Sequence, residues 1–519
     1  MQAQHGMNHN VENQETVFSF LGDAATFGTP VRRIDTHAAC VFLAGPRALK
    51  VKRAVRFPFL DYSTLARRKQ ACEAELAVNQ PYAPDLYRRV VAITREDDGT
   101  LALGGAGEPI EWAVEMRRFD ETQTFDRLAA EDRIDATLAD QLGRVIAAGH
   151  GQAPSVAADP WIEALARFLA QNRDAFAAEA ELFPSDAAER LNQQSHAALE
   201  RLTPLLRQRG RDGRIRRGHG DLHLGNIVLI DRAPVLFDAI EFDPLVAAGD
   251  VLYDLGFLLM DLVHRGRADL AARVLNRYLI EAKHESDLDA LAALPLFLSL
   301  RAAIRAKVTA ARRAHAGPGE QAAIADEARG YFALACTAMS PPPPQVVAVG
   351  GLSGTGKSIL AQALCADLPP LPGAVVLRSD VRRKQMFGVA ETERLPESAY
   401  APEITARLYA QLTADAERIV AAGHSVIVDA VFARASERAA VAEMATKAGA
   451  AFRGLFLTAD LETRIRRVSG RRGDASDADA DVARRQEAYL REPVEWLQID
   501  AGGNPEETLA RARAALQAA

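Results

Sequence analysis

Disulfide chemistry is the first thing this chain does without. Its 519 residues hold four cysteines, Cys40, Cys72, Cys336 and Cys365, far apart and with no CxxC pair. That spacing favours free thiols in a reducing cytosol over a disulfide framework or a zinc site. Long apolar runs are missing too. The two most apolar stretches are 251–263, which contains Asp254 and Asp261, and 291–300, which stops at Arg301. Neither approaches the roughly 18 uninterrupted apolar residues of a membrane span. The first residues are polar and show no charged-then-apolar leader pattern, so a cytoplasmic protein is expected. Positive charge is not in excess: the net charge is −7, which argues against a general nucleic-acid or membrane-surface binder. Lysine is scarce, with only eight among the 62 basic residues, so the address of each lysine carries weight. No internal repeat and no long low-complexity tract occurs.

The remaining composition is that of a globular chain, 48% apolar and 25% charged. At roughly 100–200 residues per domain the length suggests about three compact units. The clearest boundary is the four-proline run 341–344. It cannot continue a helix and favours a stiff polyproline spacer of roughly 12 Å. Before it, residues 30–120 read as short strands (39–44, 47–52, 89–94, 101–103, 112–116) with one helical stretch at 63–79. Residues 130–210 and 245–340 are Ala/Leu-rich with helical spacing, and between them sit β-like runs at 227–230 and 234–237. After residue 345, strands at 346–350, 374–378, 425–429 and 452–457 alternate with helices, the pattern of a parallel α/β sheet. The expected organisation is a multidomain α+β then α/β chain. A sheet lobe to about residue 120 and a helical lobe over 121–340 form one domain, a linker follows at 341–344, and the second domain runs over 345–519.

Gly351-Leu-Ser-Gly354-Thr355-Gly356-Lys357-Ser358 matches GxxxxGK[ST] in full, after a strand and before a helix-compatible run at 359–368. The glycines let successive N–H groups turn toward one anion, with a helix N-terminus behind them. Lys357 would reach the β- and γ-phosphates of ATP, and Ser358 would hold Mg²⁺. Asp380 closes Arg378-Ser-Asp380 at the carboxyl edge of a strand, where it can accept a substrate hydroxyl proton. Asp429 ends another strand in a position suited to Mg²⁺ through water. Arginines of 464–472, Arg467 and Arg471 foremost, can close over transferring phosphate charge. Residues 346–519 therefore resemble the small-molecule P-loop kinases, near the gluconate kinase and zeta-toxin families. The carriers are the P-loop, RSDVRRKQMFG (378–388), VIVDAVFARASER (426–438) and the lid-like ETRIRRVSGRRGDASDA (462–478). The resemblance implies an acid at the position of Asp380 facing the phosphorylated hydroxyl, and lid arginines meeting the phosphates.

A second phosphate-transfer pattern lies upstream. His219-Gly-Asp221-Leu-His-Leu-Gly-Asn226 has the H-x-D-x-x-x-x-N spacing of a kinase catalytic loop, and Asp238 follows twelve residues later. Asp221 would take the acceptor proton. Asn226 and Asp238, at opposite ends of a β-like hairpin, would meet one metal pair. In Ala48-Leu-Lys50-Val-Lys52 both lysines share one face of a strand. Lys50 is the first choice for the nucleotide phosphates and Lys52 the alternative, with Glu75, ahead of Glu73, as the acid that pairs with it. The strand at 112–116 is a candidate hinge. Residues 30–335 resemble the aminoglycoside phosphotransferase family of the protein-kinase-like superfamily. The carriers are HGDLHLGNI (219–227), LFDAIEFD (236–243), GDVLYDLGFL (249–258) and the ALKVK strand. The resemblance implies Asp221 as base, Asn226 and Asp238 as metal ligands, and Asp250 and Asp254 as structural supports. No GxGxxG loop occurs in residues 30–47.

The expectation is a bifunctional cytoplasmic kinase with two ATP·Mg²⁺ sites acting on small hydroxyl-bearing molecules, with neither nucleic acid nor membrane as partner. The rival is a P-loop kinase regulated by a non-catalytic, ligand-binding first domain. An RNA-end kinase ranks third, since no aromatic residues interleave with the basic runs. The acceptors and the oligomeric state stay open.

Overall fold

The computed structural model describes residues 12–57, 60–470, 473–489 and 492–517. Its backbone clusters into two compact units, one of residues 1–165 and 206–258, the other of 166–205 and 259–519.

The first unit is built on an antiparallel sheet of β1 (Val31–Asp35), β2 (Ala39–Ala44), β3 (Arg47–Lys52), β4 (Tyr87–Arg95), β5 (Leu101–Leu103) and β6 (Glu108–Arg117), in the order β1-β2-β3-β6-β4-β5. Alternation along β3 divides its side chains between the two faces. Leu49 and Val51 enter one apolar cluster with Val17, Phe18, Phe42 and Ile93. The other face carries Ala48, packed with Cys72, Leu86, Val114 and Met116, and on that side stand Lys50 and Lys52. Helix α1 (Leu65–Asn79) begins where the Thr64 hydroxyl accepts from the Arg67 N–H. Further along the chain, the hairpin β7 (Ile227–Ile230) and β8 (Ala233–Leu236) follows the His219–Asn226 loop.

Strand β1 went unread in the sequence because Val-Arg-Arg-Ile-Asp is a charged edge strand. Charge keeps an edge soluble and hides it from an apolar pattern.

The second unit holds a fully parallel sheet of β9 (Gln345–Gly351), β10 (Val375–Arg378), β11 (Val426–Asp429), β12 (Ala451–Thr458) and β13 (Leu497–Asp500), ordered β10-β11-β9-β12-β13. Val347, Val349, Val376, Ile427, Leu455 and Leu457 form its core with Leu360 and Leu364 of helix α2 (Lys357–Leu364). The central strands read as unbroken apolar runs because both faces are covered. Strand β13, Leu-Gln-Ile-Asp at the edge, buries only Ile499 and escaped the reading. Among the described residues no helix is long and apolar enough to cross a membrane.

Candidate active sites

In the first unit the loop 218–226 is anchored by one carboxylate. Asp254 accepts from the backbone N–H groups of His219 (2.8 Å) and Gly220 (2.9 Å), and His150 Nε2 lies 3.1 Å from it. Gly220 has φ +80°, and a Cβ there would meet Ala247 at 2.9 Å, so glycine is required. His219 is fully buried with its Nε2 2.9 Å from the Phe237 carbonyl, which ties the loop to the end of β8. Burial pulls its pKa below the ordinary imidazole value. Asp250 forms a buried pair with Arg209 (2.7 Å).

On this frame Asn226 Nδ2 donates to the backbone oxygen and to Oδ2 of Asp221, both at 3.0 Å. Asp221 is 40% exposed, open enough to meet a substrate. The Lys50 ammonium donates to Glu75 (2.8 Å) and to Asp238 (2.6 Å). Burial works against this cation, but Asp238 and Glu75 outweigh it and hold its pKa well above the usual lysine value. Glu75 is fully buried; desolvation opposes its charge, and Lys50 with Lys52 overcomes that and lowers its pKa. Lys52 lies between Glu75 (2.5 Å) and Glu241, and the Tyr62 hydroxyl also donates to Glu241 (2.9 Å). Glu73 sits outside, exposed beside Lys69. The Lys52–Glu241–Tyr62 chain was missed in the sequence. Its signal was Glu241 itself, three residues after Asp238.

In the second unit the P-loop joins β9 to α2. Gly354 (φ +89°) lies against helix α3 (Leu461–Ser469), where a Cβ would come within 2.6 Å of the Arg464 carbonyl. Gly351 and Gly356 also have positive φ, and Gly356 caps α2. The Thr355 hydroxyl donates to Leu352 O (2.8 Å), and Lys357 Nζ curls back to the same carbonyl (3.2 Å). Ser358 Oγ donates to Asp429 Oδ2 at 2.6 Å. Asp429 is buried, and desolvation raises its pKa against the pull of Lys357 and Arg378. Asp380 stands in the first turn of helix α4 (Ser379–Met386), directly after β10. Arg378 reaches Asp474 (2.8 Å) and lies 3.6 Å from Asp429. Arg467 donates to the carbonyls of Ala501 (2.8 Å) and Gly503 (2.7 Å), with Gly354 O at 3.5 Å. Arg471 lies outside the described residues. The sequence hid one further feature: Asp474, Asp477 and Asp479 bind Arg378, Lys384 and Arg394, partners more than 80 residues away.

Both sites offer hard oxygen ligands. Asp238 and Asn226 in one, Ser358 and Asp429 in the other, suit Mg²⁺, which takes one or two protein oxygens and fills the rest with phosphate and water. Among the described residues no group of three or more His, Cys, Asp or Glu forms a closed metal cage.

A kinase-like fold followed by a P-loop sheet defines a chain of the phosphotransferase class. Residues 53–294 match the profile of the phosphotransferase enzyme family, and residues 346–493 match that of an AAA domain. The chain therefore joins a phosphotransferase-family domain to a P-loop kinase domain. It is 28% identical over 489 residues to proteins of Mycobacterium tuberculosis and Mycobacterium bovis described as uncharacterized, covering 92% of this chain and 94% of theirs. Among solved structures, a choline/ethanolamine kinase family protein from Mesorhizobium loti aligns at 11% identity over 63% of this chain and 98% of its own, with a TM-score of 0.37. A gluconokinase from Sinorhizobium meliloti aligns at 21% identity over 34% of this chain and 93% of its own, with a TM-score of 0.25.

Proposed function

We propose that the chain is a bifunctional ATP-dependent kinase with two separate sites, each transferring the γ-phosphoryl group to a hydroxyl of a small molecule. The functional division runs over 1–340, the linker 341–344, and 345–519. Cytoplasmic chemistry suits the four free cysteines. The carrying observation is that each unit holds its own phosphate cation and its own carboxylates. Lys50 bridges Glu75 and Asp238 beside the Asp221–Asn226 loop. In the other unit Lys357 precedes the bonded Ser358–Asp429 pair.

In the first site Asp221, oriented by Asn226, takes the proton of the acceptor hydroxyl as its oxygen bonds to phosphorus and the bond to the ADP oxygen breaks. Lys50 holds the phosphates, and Glu75 fixes Lys50. In the second site Asp380 takes the proton, while Lys357, the loop N–H groups, Arg467 and Arg471 stabilise the phosphate charge. When bound, Mg²⁺ neutralises the transferring phosphates.

One observation favours the rival reading. β1 and β2 join through the short turn 36–38, closed by Thr36 onto Ala39 (2.8 Å), with no glycine-rich cover for phosphates. In that reading the first unit binds its ligand without turnover.

Labelling a metabolite pool with γ-labelled ATP separates the two. Bifunctionality predicts one product lost in Asp221→Ala and a different one lost in Lys357→Ala. If every product survives Asp221→Ala and none survives Lys357→Ala, the rival holds.

A further inference from the structure

Asp238 stands at φ +62°. A residue with a side chain holds that left-handed conformation only where its surroundings over-determine it, and such strain gathers at working sites. The backbone around Asp238 is fastened from several elements. The Phe237 N–H donates to the Asn226 carbonyl, and the Ile240 N–H to the His219 carbonyl, both at 3.0 Å. The Asp238 N–H donates to the Tyr87 hydroxyl (3.0 Å). Asn79, fully buried at the end of α1, accepts from the Ala239 N–H (2.7 Å). The next residue, Glu241, is fastened by charge.

Glu241 accepts from the Lys52 ammonium and from the Tyr62 hydroxyl. Lys52 also meets one oxygen of Glu75 at 2.5 Å, while the other oxygen of Glu75 holds Lys50 at 2.8 Å. Lys50 in turn reaches Asp238 at 2.6 Å. Charges therefore alternate along Asp238, Lys50, Glu75, Lys52 and Glu241, and the backbone from 238 to 241 closes the ring. The side chains of Lys52, Glu75 and Glu241 are 4%, 0% and 8% exposed, whereas that of Asp238 is 45% exposed. The ring thus opens outward at Asp238. Lys52 is too deeply buried to serve as a second phosphate cation. Burying one more lysine and one more carboxylate costs desolvation that pairing only partly offsets, so this pair has another use.

We propose that Glu241 is a positioning residue for the metal of the first site. Clasped by Lys52 and Tyr62, it holds the turn 238–241 in the strained form that presents the Asp238 carboxylate outward. This rests on reading the first unit as an ATP·Mg²⁺ site with Asp238 as a metal ligand. Without the clasp the turn relaxes, and Mg²⁺ meets a ligand that is no longer aimed. Glu241 does not touch the metal; it acts through the backbone it shares with Asp238, as outer-shell partners orient a ligating carboxylate.

The test uses the full chain carrying Lys357→Ala, so that only the first site takes nucleotide. A non-hydrolysable ATP analogue is titrated calorimetrically twice, with excess Mg²⁺ and with EDTA. The ratio of the two Kd values measures what the metal adds to binding, and Asp238→Ala, which removes the ligand itself, sets the floor of that ratio. Glu241→Gln keeps the shape of the side chain and removes its charge. It should raise the Kd of the Mg²⁺-loaded analogue about 10-fold and leave the Kd of the metal-free analogue unchanged. Tyr62→Phe removes one hydroxyl and covers the case of a glutamine variant that does not fold; it should lower the ratio by a smaller factor. A merely structural role moves both constants together and leaves the ratio where it was. An unmoved ratio in both variants overturns the assignment of Glu241 while leaving the first site a nucleotide site. If the Lys357→Ala chain binds no Mg²⁺-loaded analogue, the reading of the first site itself fails.

Discussion

His424 precedes β11, fully buried, its Nε2 2.8 Å from the Gly373 carbonyl and its Nδ1 without a partner. Burial lowers its pKa from 6.5 to about 4. The unfolded chain therefore binds a proton between these values that the folded chain refuses. The resulting stability is fully present above pH 6.5 and is lost as pH falls toward 4, to the extent of about 3 kcal/mol. Denaturant unfolding at pH 7 and pH 4.5 should show a smaller acid loss in His424→Gln than in the unaltered chain; equal losses would contradict this. Residue identity was only partly legible in the sequence. Asp221, Asn226 and Asp238 declared themselves by spacing. The choice between Glu75 and Glu73 did not, because both lie on one short stretch of helix and only the packing against β3 decides which is buried. The pairing of Arg382 and Lys384 was equally hidden, since their acids come from positions 415 and 477.

An element with a built-in consequence is the edge strand β10. Its outer side is not left open: Asn276, 3% exposed on the helix Ala268–Ala282, donates to the Ala374 carbonyl (3.0 Å) and accepts from the Val376 N–H (2.7 Å). A single amide imitates a neighbouring strand. Asn276→Leu would leave both backbone groups buried and unpaired, at a cost of about 2–4 kcal/mol. Amide exchange at Val376 should quicken and the denaturation midpoint should fall. An unchanged midpoint would show that water replaces the amide. β10 leads straight into Arg378 and Asp380, so its seating also sets where the proposed base stands. The strands were legible wherever their residues are apolar, the edge strand β10 included, and illegible at β1 and β13, edge strands that present charged or polar side chains to solvent.

Across the whole molecule, the scarcity of lysine takes on meaning. Of eight lysines, Lys50 and Lys52 meet the buried Glu75 in one unit, and Lys357 opens the helix behind the P-loop in the other. With a net charge of −7, the proposed phosphate binding would rest on such local cations and loop N–H groups rather than on a general positive field. The central claim is two nucleotide sites in one chain, and calorimetric titration of the full chain with a non-hydrolysable ATP analogue and Mg²⁺ tests it most directly. The account predicts two nucleotides per chain, one after Lys357→Ala, and none after Lys357→Ala is combined with Asp238→Ala. One nucleotide per chain, abolished by Lys357→Ala alone, would contradict it.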